Sequence, residues 1–331
     1  MNGEFELIKR LVERLPPPGP EIRIASGDDA AVFEQEGPAV ISVDATVEGV
    51  HFIRPEFPPE AIGRKALAAA LSDLAAMGAE AGSAYVVLGV PADASEPELL
   101  ALADGLAEVA RRERVSVVGG DVSAAPALLL SVTVVGSEPP GSGLVPRSGA
   151  RPGDRLVVTG ELGGAAAALG LLRSEQGRLD SALRERVLAR QFDPTPRLAA
   201  GRALAAAGAS AMIDLSDGLA ADATQLARSS GVRLEIELER LPLAPELLKL
   251  HSDERVARRQ AAEGGEDFEL LACLPAEAVE PASAAVAEQG CALTEIGLVS
   301  EGDRAVVRDG SGRELELGGY DHLRRDGSGY Q

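Results

Sequence analysis

Residues 136–154, GSEPPGSGLVPRSGARPGD, interrupt an otherwise patterned chain of 331 residues. Glycine, proline and serine dominate this stretch, and their turn chemistry marks a boundary between two patterned halves. A single hydrophobic core rarely grows past roughly 250–300 residues, so length alone also predicts a division. We place one domain at 1–140 and a second at 141–331. In both, short apolar runs alternate with helix-like stretches, which predicts an α/β or α+β fold with a core in each half. Strands are expected at Ala39–Val43, Ala84–Val90, Val115–Val118 and Ala127–Val135, with helices near Glu4–Leu15, Pro59–Met77 and Glu96–Arg112. The second half repeats the style with the strands RLVVTG, AMID and VRLEIEL, and a helix opening at Gly218.

Composition removes several function classes. Apolar residues make up 45% and charged residues 25%, a globular balance. The net charge of −20 would repel nucleic-acid phosphates. No apolar run approaches the roughly 18 residues of a membrane span. The opening MNGEFELIKRLVERL is charged throughout and reads as an amphipathic helix rather than a signal peptide. Cys273 and Cys291 lack metal-ligand spacing and read as reduced core thiols, so a cytoplasmic protein is expected. Lys9, Lys65 and Lys249 are the only lysines, and none follows the glycines of a Walker-type loop. No HRD or DFG set of a protein kinase occurs either.

The acidic residues carry the chemistry. Asp28 and Asp29 in SGDDAAVF, Asp44 in AVISVDATV, Asp121 in VVGGDVS, and Asp214 and Asp217 in MIDLSDGL follow one rule: an apolar run, then aspartate, with glycine or serine nearby. Residues just past strand ends gather at one sheet edge, where open α/β folds bind ligands. Taken singly, an aspartate there also serves as a helix cap or turn residue. Asp73 differs, because it interrupts a helix face of Ala66, Leu67, Ala70, Leu71 and Leu74 and needs a partner there. Like charges about 4 Å apart repel by roughly 4 kcal/mol at an effective dielectric of 20, so a cluster of five or six requires cations. Mg²⁺ suits hard oxygen ligands and shares them with substrate phosphates, which makes the cluster reading a metal–nucleotide site. In MIDLSDGL, Asp214 would reach the metal, Ser216 would cap the next helix, and Asp217 would sit in its first turn. A haloacid-dehalogenase-type aspartyl nucleophile is a rival, but its DxD pattern fails: Thr46 follows Asp44 by two, and Ser216 follows Asp214.

Taken together and in order, GEFELI, GDDAAV, SVDATVEGVHF, KALAAALSDLAAMGA, VGGD, RSGARPGD, TGELGG, IDLSDGL, GGEDFEL and GYDH resemble the thiamine-monophosphate kinase family, within the aminoimidazole-ribotide-synthetase-like ATP-binding superfamily. The resemblance implies a two-domain fold of that type: an N-terminal mixed sheet that pairs across a homodimer, and a C-terminal α/β domain that closes over the nucleotide. It implies a transferase of thiamine biosynthesis that uses ATP to phosphorylate thiamine monophosphate to thiamine diphosphate, with several Mg²⁺ ions and K⁺ as a candidate second cofactor. It implies metal ligands at Asp29, Ser42, Asp44, Asp73, Asp121, Asp214 and Asp217 and at the backbone of Val43. ATP would be touched by Gly120, Asp121, Arg147 and Ser216. The acceptor would be touched by His51, Glu266 and Tyr320; an aromatic face such as that of Tyr320 stacks well on a cationic ring. No side-chain nucleophile or general base is expected, because the acceptor is already an anionic phosphate oxygen. Aminoimidazole-ribotide synthetase and hydrogenase-maturation enzymes of the superfamily remain alternatives, as does a nucleotide-binding regulator without turnover. Selenophosphate synthetase needs a reactive residue near its N-terminus, whereas both cysteines here follow residue 270.

Overall fold

The computed structural model describes residues 4–26, 30–35, 37–173 and 180–320. Helix α1 (Glu4–Val12) precedes a short hairpin of β1 (Ile22–Ile24) and β2 (Val32–Phe33). A four-stranded sheet follows, built from β3 (Ala39–Val47), β4 (Glu80–Val90), β5 (Ser116–Ala124) and β6 (Leu129–Ser137) in the order β3-β6-β4-β5. It is mixed, since β4 and β5 run parallel and the other pairs antiparallel. The second sheet has β7 (Arg155–Thr159), β8 (Ala211–Asp214), β9 (Arg233–Glu237), β10 (Leu270–Leu274), β11 (Leu293–Ser300), β12 (Ala305–Arg308) and β13 (Glu314–Leu315), ordered β13-β12-β9-β11-β7-β10-β8.

Between the sheets lies α2 (Pro59–Ala76), with a proline in its first turn. Its sequence is apolar nearly all round, and it is buried accordingly. It packs on β3, β6 and α3 (Glu96–Glu113) of the first half, and on α5 (Ser181–Phe192), α6 (Leu198–Ala206) and β8 of the second. The larger core therefore runs through both halves, from Leu67, Leu71 and Val132 to Leu204, Met212 and Leu270, rather than stopping at residue 140. A second core lies on the other face of the seven-stranded sheet, under α4 (Gly164–Arg173) and α7 (Leu219–Ser230).

Two sequence expectations need correction. Asp44 and Asp121 do not follow strand ends; β3 continues to Val47 and β5 to Ala124, because β6 and β4 supply ladder partners along their whole length. Ser216 does not cap α7, whose N-cap is Gly218; the Asp222 carboxylate instead accepts the Asp217 N–H at 3.1 Å. Among the described residues no helix is long and apolar enough to cross a membrane.

Candidate functional site

The motifs IDLSDG and GGEDFEL become neighbours because β8 and β10 pair antiparallel, with Asp214 opposite Leu270. The contact continues past the strands: Glu266 N donates to Ser216 O (2.8 Å) and Phe268 N to Leu215 O (3.0 Å). Such an approach demands glycine at 265, where a Cβ would lie 2.4 Å from Ser216 O. Glu266 itself holds a positive φ of 67°, a conformation uncommon outside glycine and concentrated at functional sites.

Three elements deliver acidic side chains to one place: Asp73 on α2, Asp214 on β8 and Asp222 on α7. Ser42 on β3 donates to Asp73 near the end of α2, and Ser72 donates to Asp214 at the end of β8 (2.8 Å). Asp214 is 3% exposed and Asp222 4%. Burial pushes the Asp214 carboxyl up to about 7, the Asp73 charge adds to this, and Ser72 and Arg147 oppose it. Burial likewise pushes Asp222 up to about 8, helped by Asp214 and Asp217. These carboxylates crowd one another and are held by neutral donors. Among the described residues no three His, Cys, Asp or Glu side chains close into a ready-made ion cage.

Arg147 is exposed, yet its segment is pinned: Val145 N donates to Met77 O (3.0 Å), Met212 N to Pro146 O (3.1 Å), and Ser230 Oγ to Arg147 O (2.9 Å). Tyr320 N donates to Asp217 O (2.9 Å), which lays the end of the described chain beside the α7 N-terminus. Asp28 and Asp29 lie outside the described residues.

Asp44 and Asp121 stand apart. Asp44 shares with Ser42 the face of the four-stranded sheet that α2 covers. Asp121 pairs through Val87 and Ser131 to Ala45, on the exposed face and at the opposite edge. Three strand spacings separate β3 from β5, roughly 14 Å, so one chain does not bring them together. Gly120 beside Asp121 accommodates a close backbone approach, for a Cβ there would lie 1.9 Å from Val86 O.

The other end of the site is charge-matched. Glu266 accepts from the Lys65 Nζ and the Gln191 Nε2, each at 2.7 Å. Burial works to raise the Glu266 carboxyl, but Lys65 and Gln191 together outweigh it and hold it below the ordinary range. His51 Nδ1 accepts the Val47 N–H at 3.1 Å, which fixes its ring at the end of β3. Asp267 turns away and caps α4, accepting from Gly163 N (2.7 Å) and Ala165 N (3.1 Å).

Three contributors escaped the sequence reading: Lys65, Gln191 and Asp222. Asp222 interrupts the buried face of Leu219, Ala220, Ala223 and Leu226, the same signal that singled out Asp73. Lys65, 2% exposed within an apolar helix, called for an acidic partner by the same logic.

The sequence matches the family models of AIR synthase related proteins: the N-terminal domain over residues 27–137 and the C-terminal domain over residues 151–310. The thiamine-monophosphate kinase of Bacillus subtilis (strain 168) is 36% identical over 333 residues, spanning 97% of this chain and 99% of that protein. The crystal structure of thiamine-monophosphate kinase from Stenotrophomonas maltophilia K279a superposes with a TM-score of 0.81 at 33% identity, covering 94% of this chain and 96% of that one. AaThiL complexed with AMPPCP and TMP superposes with a TM-score of 0.78 at 33% identity, covering 96% of each chain. With identity of this order sustained over nearly its whole length, the chain belongs to the thiamine-monophosphate kinase family of AIR synthase related proteins.

Proposed function

We propose that the protein transfers the γ-phosphoryl group of ATP to thiamine monophosphate, giving ADP and thiamine diphosphate. The observation that carries this reading is the division of one site into two ends along α2. Asp73, with Asp214 and Asp222 beside it, forms an anionic end short of cations. Lys65 stands eight residues earlier on the same helix, about 12 Å along its axis, and holds Glu266 at the other end. A phosphate tail can meet the first end while its ring system meets the second.

The donor set fits Mg²⁺, which typically binds through one or two carboxylates and leaves the remaining positions to water and substrate phosphates. Asp44, Asp73, Asp214 and Asp217, with Ser42 and the Val43 carbonyl, would hold it. When bound it neutralises the phosphate charges that otherwise keep two anionic substrates apart. The chain's own residues do the rest by positioning. Arg147 and Ser216 orient the donor phosphates, and His51, Glu266 and Tyr320 orient the acceptor. The acceptor oxygen forms its bond to the γ-phosphorus as the bond to the ADP oxygen breaks, in line and without a protein base.

Asp121 joins this set through a second copy. The uncovered face of the four-stranded sheet exposes Ile41 and Val43 (62% each) and Val87 (41%), and β3 is an edge strand. Burying such a face and edge against its own copy gives a two-fold dimer in which Asp121 of one subunit reaches the β3 edge of the other. Incubation with Mg-ATP and thiamine monophosphate, with ADP and thiamine diphosphate both followed, tests the activity. ADP alone would assign another acceptor, and neither product would make the protein a regulator.

A further inference from the structure

His51 and Glu266 come from opposite halves of the chain and meet on one side chain, Lys65. Its ammonium has three protons and three acceptors: the His51 carbonyl (2.9 Å), Gln191 Oε1 (2.7 Å) and Glu266 Oε1 (2.7 Å). The Phe57 ring covers it, 5.5 Å from centroid to nitrogen. Gln191 closes the ring by donating to the second oxygen of Glu266 at 2.7 Å. Each carboxylate oxygen thus has one internal donor and keeps one acceptor position. With 22% of its side chain exposed, Glu266 can offer those positions to a ligand.

A buried ion pair is a weak device for stability, because desolvation offsets most of the attraction. The choice of lysine is also informative in a chain that carries arginine almost everywhere else. Arg197 meets both oxygens of Glu269 with its planar fork (2.8 and 2.5 Å). Lys65 instead reaches a carbonyl, an amide and a carboxylate from three separate segments, which a compact ammonium does and a planar fork does not.

We propose that Lys65 is the positioning residue of the acceptor pocket: with Gln191 it fixes Glu266 as an oriented, ionised acceptor for the amino-bearing, cationic heterocycle of the substrate, and ties the His51 loop to it. This rests on the kinase reading given above.

The test compares wild type with Lys65→Met, which keeps the stem and loses the charge, and with Lys65→Arg and Gln191→Met. Lys65→Met should raise KM for thiamine monophosphate about tenfold or more, the scale of one charge-assisted hydrogen bond, while KM for ATP stays within about twofold. Lys65→Arg should not restore it, and Gln191→Met should show a smaller rise in the same parameter. The double variant Lys65→Met/Glu266→Gln should recover Tm lost in Lys65→Met, because no unpaired charge remains, yet keep the high acceptor KM. A purely structural Lys65 would instead move both KM values together, and the double variant would restore both. An acceptor KM within about twofold of wild type in folded Lys65→Met, or in Gln191→Met should the lysine variant not fold, overturns the proposal. Wild type that binds thiamine monophosphate without phosphorylating it would sink the kinase reading alone, and the same variants compared by Kd would then decide. Wild type that does not bind it overturns both.

Discussion

The two ends of the site solve opposite electrostatic problems with the same residue type. At the Asp214 end, buried carboxylates face one another and are held by serine hydroxyls and backbone N–H groups, so burial pushes Asp214 up to about 7 and Asp222 up to about 8. At the Glu266 end, a half-buried carboxylate is met by Lys65 and Gln191 and stays below its ordinary range. The second end is complete within the protein. The first is left unbalanced, and in the proposed reaction a polyphosphate arriving with its cations would supply the balance. The difference separates a place that organises a ligand from a place that the ligand completes.

The largest expected effect comes from removing charge at the first end. Asp44→Asn and Asp121→Asn should each lower kcat by roughly 10²–10³-fold, the scale of losing one preorganised electrostatic contact, with Tm little changed. If Asp44 and Asp121 meet across a dimer, mixing the two inactive variants should recover about a quarter of wild-type activity. Half of the dimers are then mixed, and one of the two sites in each carries both aspartates. Activity that stays at the level of the separate variants would place both residues in one subunit's site.

Opposite stability effects at the two ends come next. Glu266→Ala strands the buried Lys65 ammonium and should cost roughly 3–5 kcal/mol, read from denaturant unfolding. Asp214→Asn keeps an acceptor for Ser72 and removes a crowded charge, so the metal-free protein should gain a few degrees in Tm at pH 8 while kcat collapses. A loss of Tm in Asp214→Asn would mean that the carboxylates are already balanced, and the contrast between the two ends would disappear.

These effects also show what a one-dimensional reading can reach. The apolar stripe of α2 exposed Asp73 at once, because a carboxylate in that face has no bland explanation. Asp214 was legible as the last residue of an apolar run. The end of the apolar run puts Asp44 and Asp121 past strand ends in the sequence, yet ladder partners on β6 and β4 carry both strands through them. Lys65 stands out in the sequence only because lysine is rare. Its partner Gln191 is 126 residues away, and Ser72 lies 142 residues from Asp214. No spacing rule links positions that only the docking of two sheets onto one helix brings together.

A pH dependence also follows, and its direction distinguishes the ends. Asp214 and Asp222 ionise near 3.8 when unfolded but near 7 and 8 when folded. Below pH 3.8 both states keep the protons and the stabilising contribution is fully present. As pH rises, the unfolded chain releases them first, so stability falls until pH passes about 7–8. Asp267, pushed by burial to about 7, adds the same trend from outside the cluster. Glu266 has the reverse sign and acts only near and below 4.5. Between pH 5 and 8, therefore, the metal-free protein should lose Tm, with Asp214, Asp222 and Asp267 all acting in that direction. Saturating Mg-ATP should remove most of that slope by favouring the ionised cluster, and the Asp267 share should remain. A Tm that rises from pH 5 to 8 without metal would show that the carboxylates at the first end are as well matched inside the protein as Glu266 is.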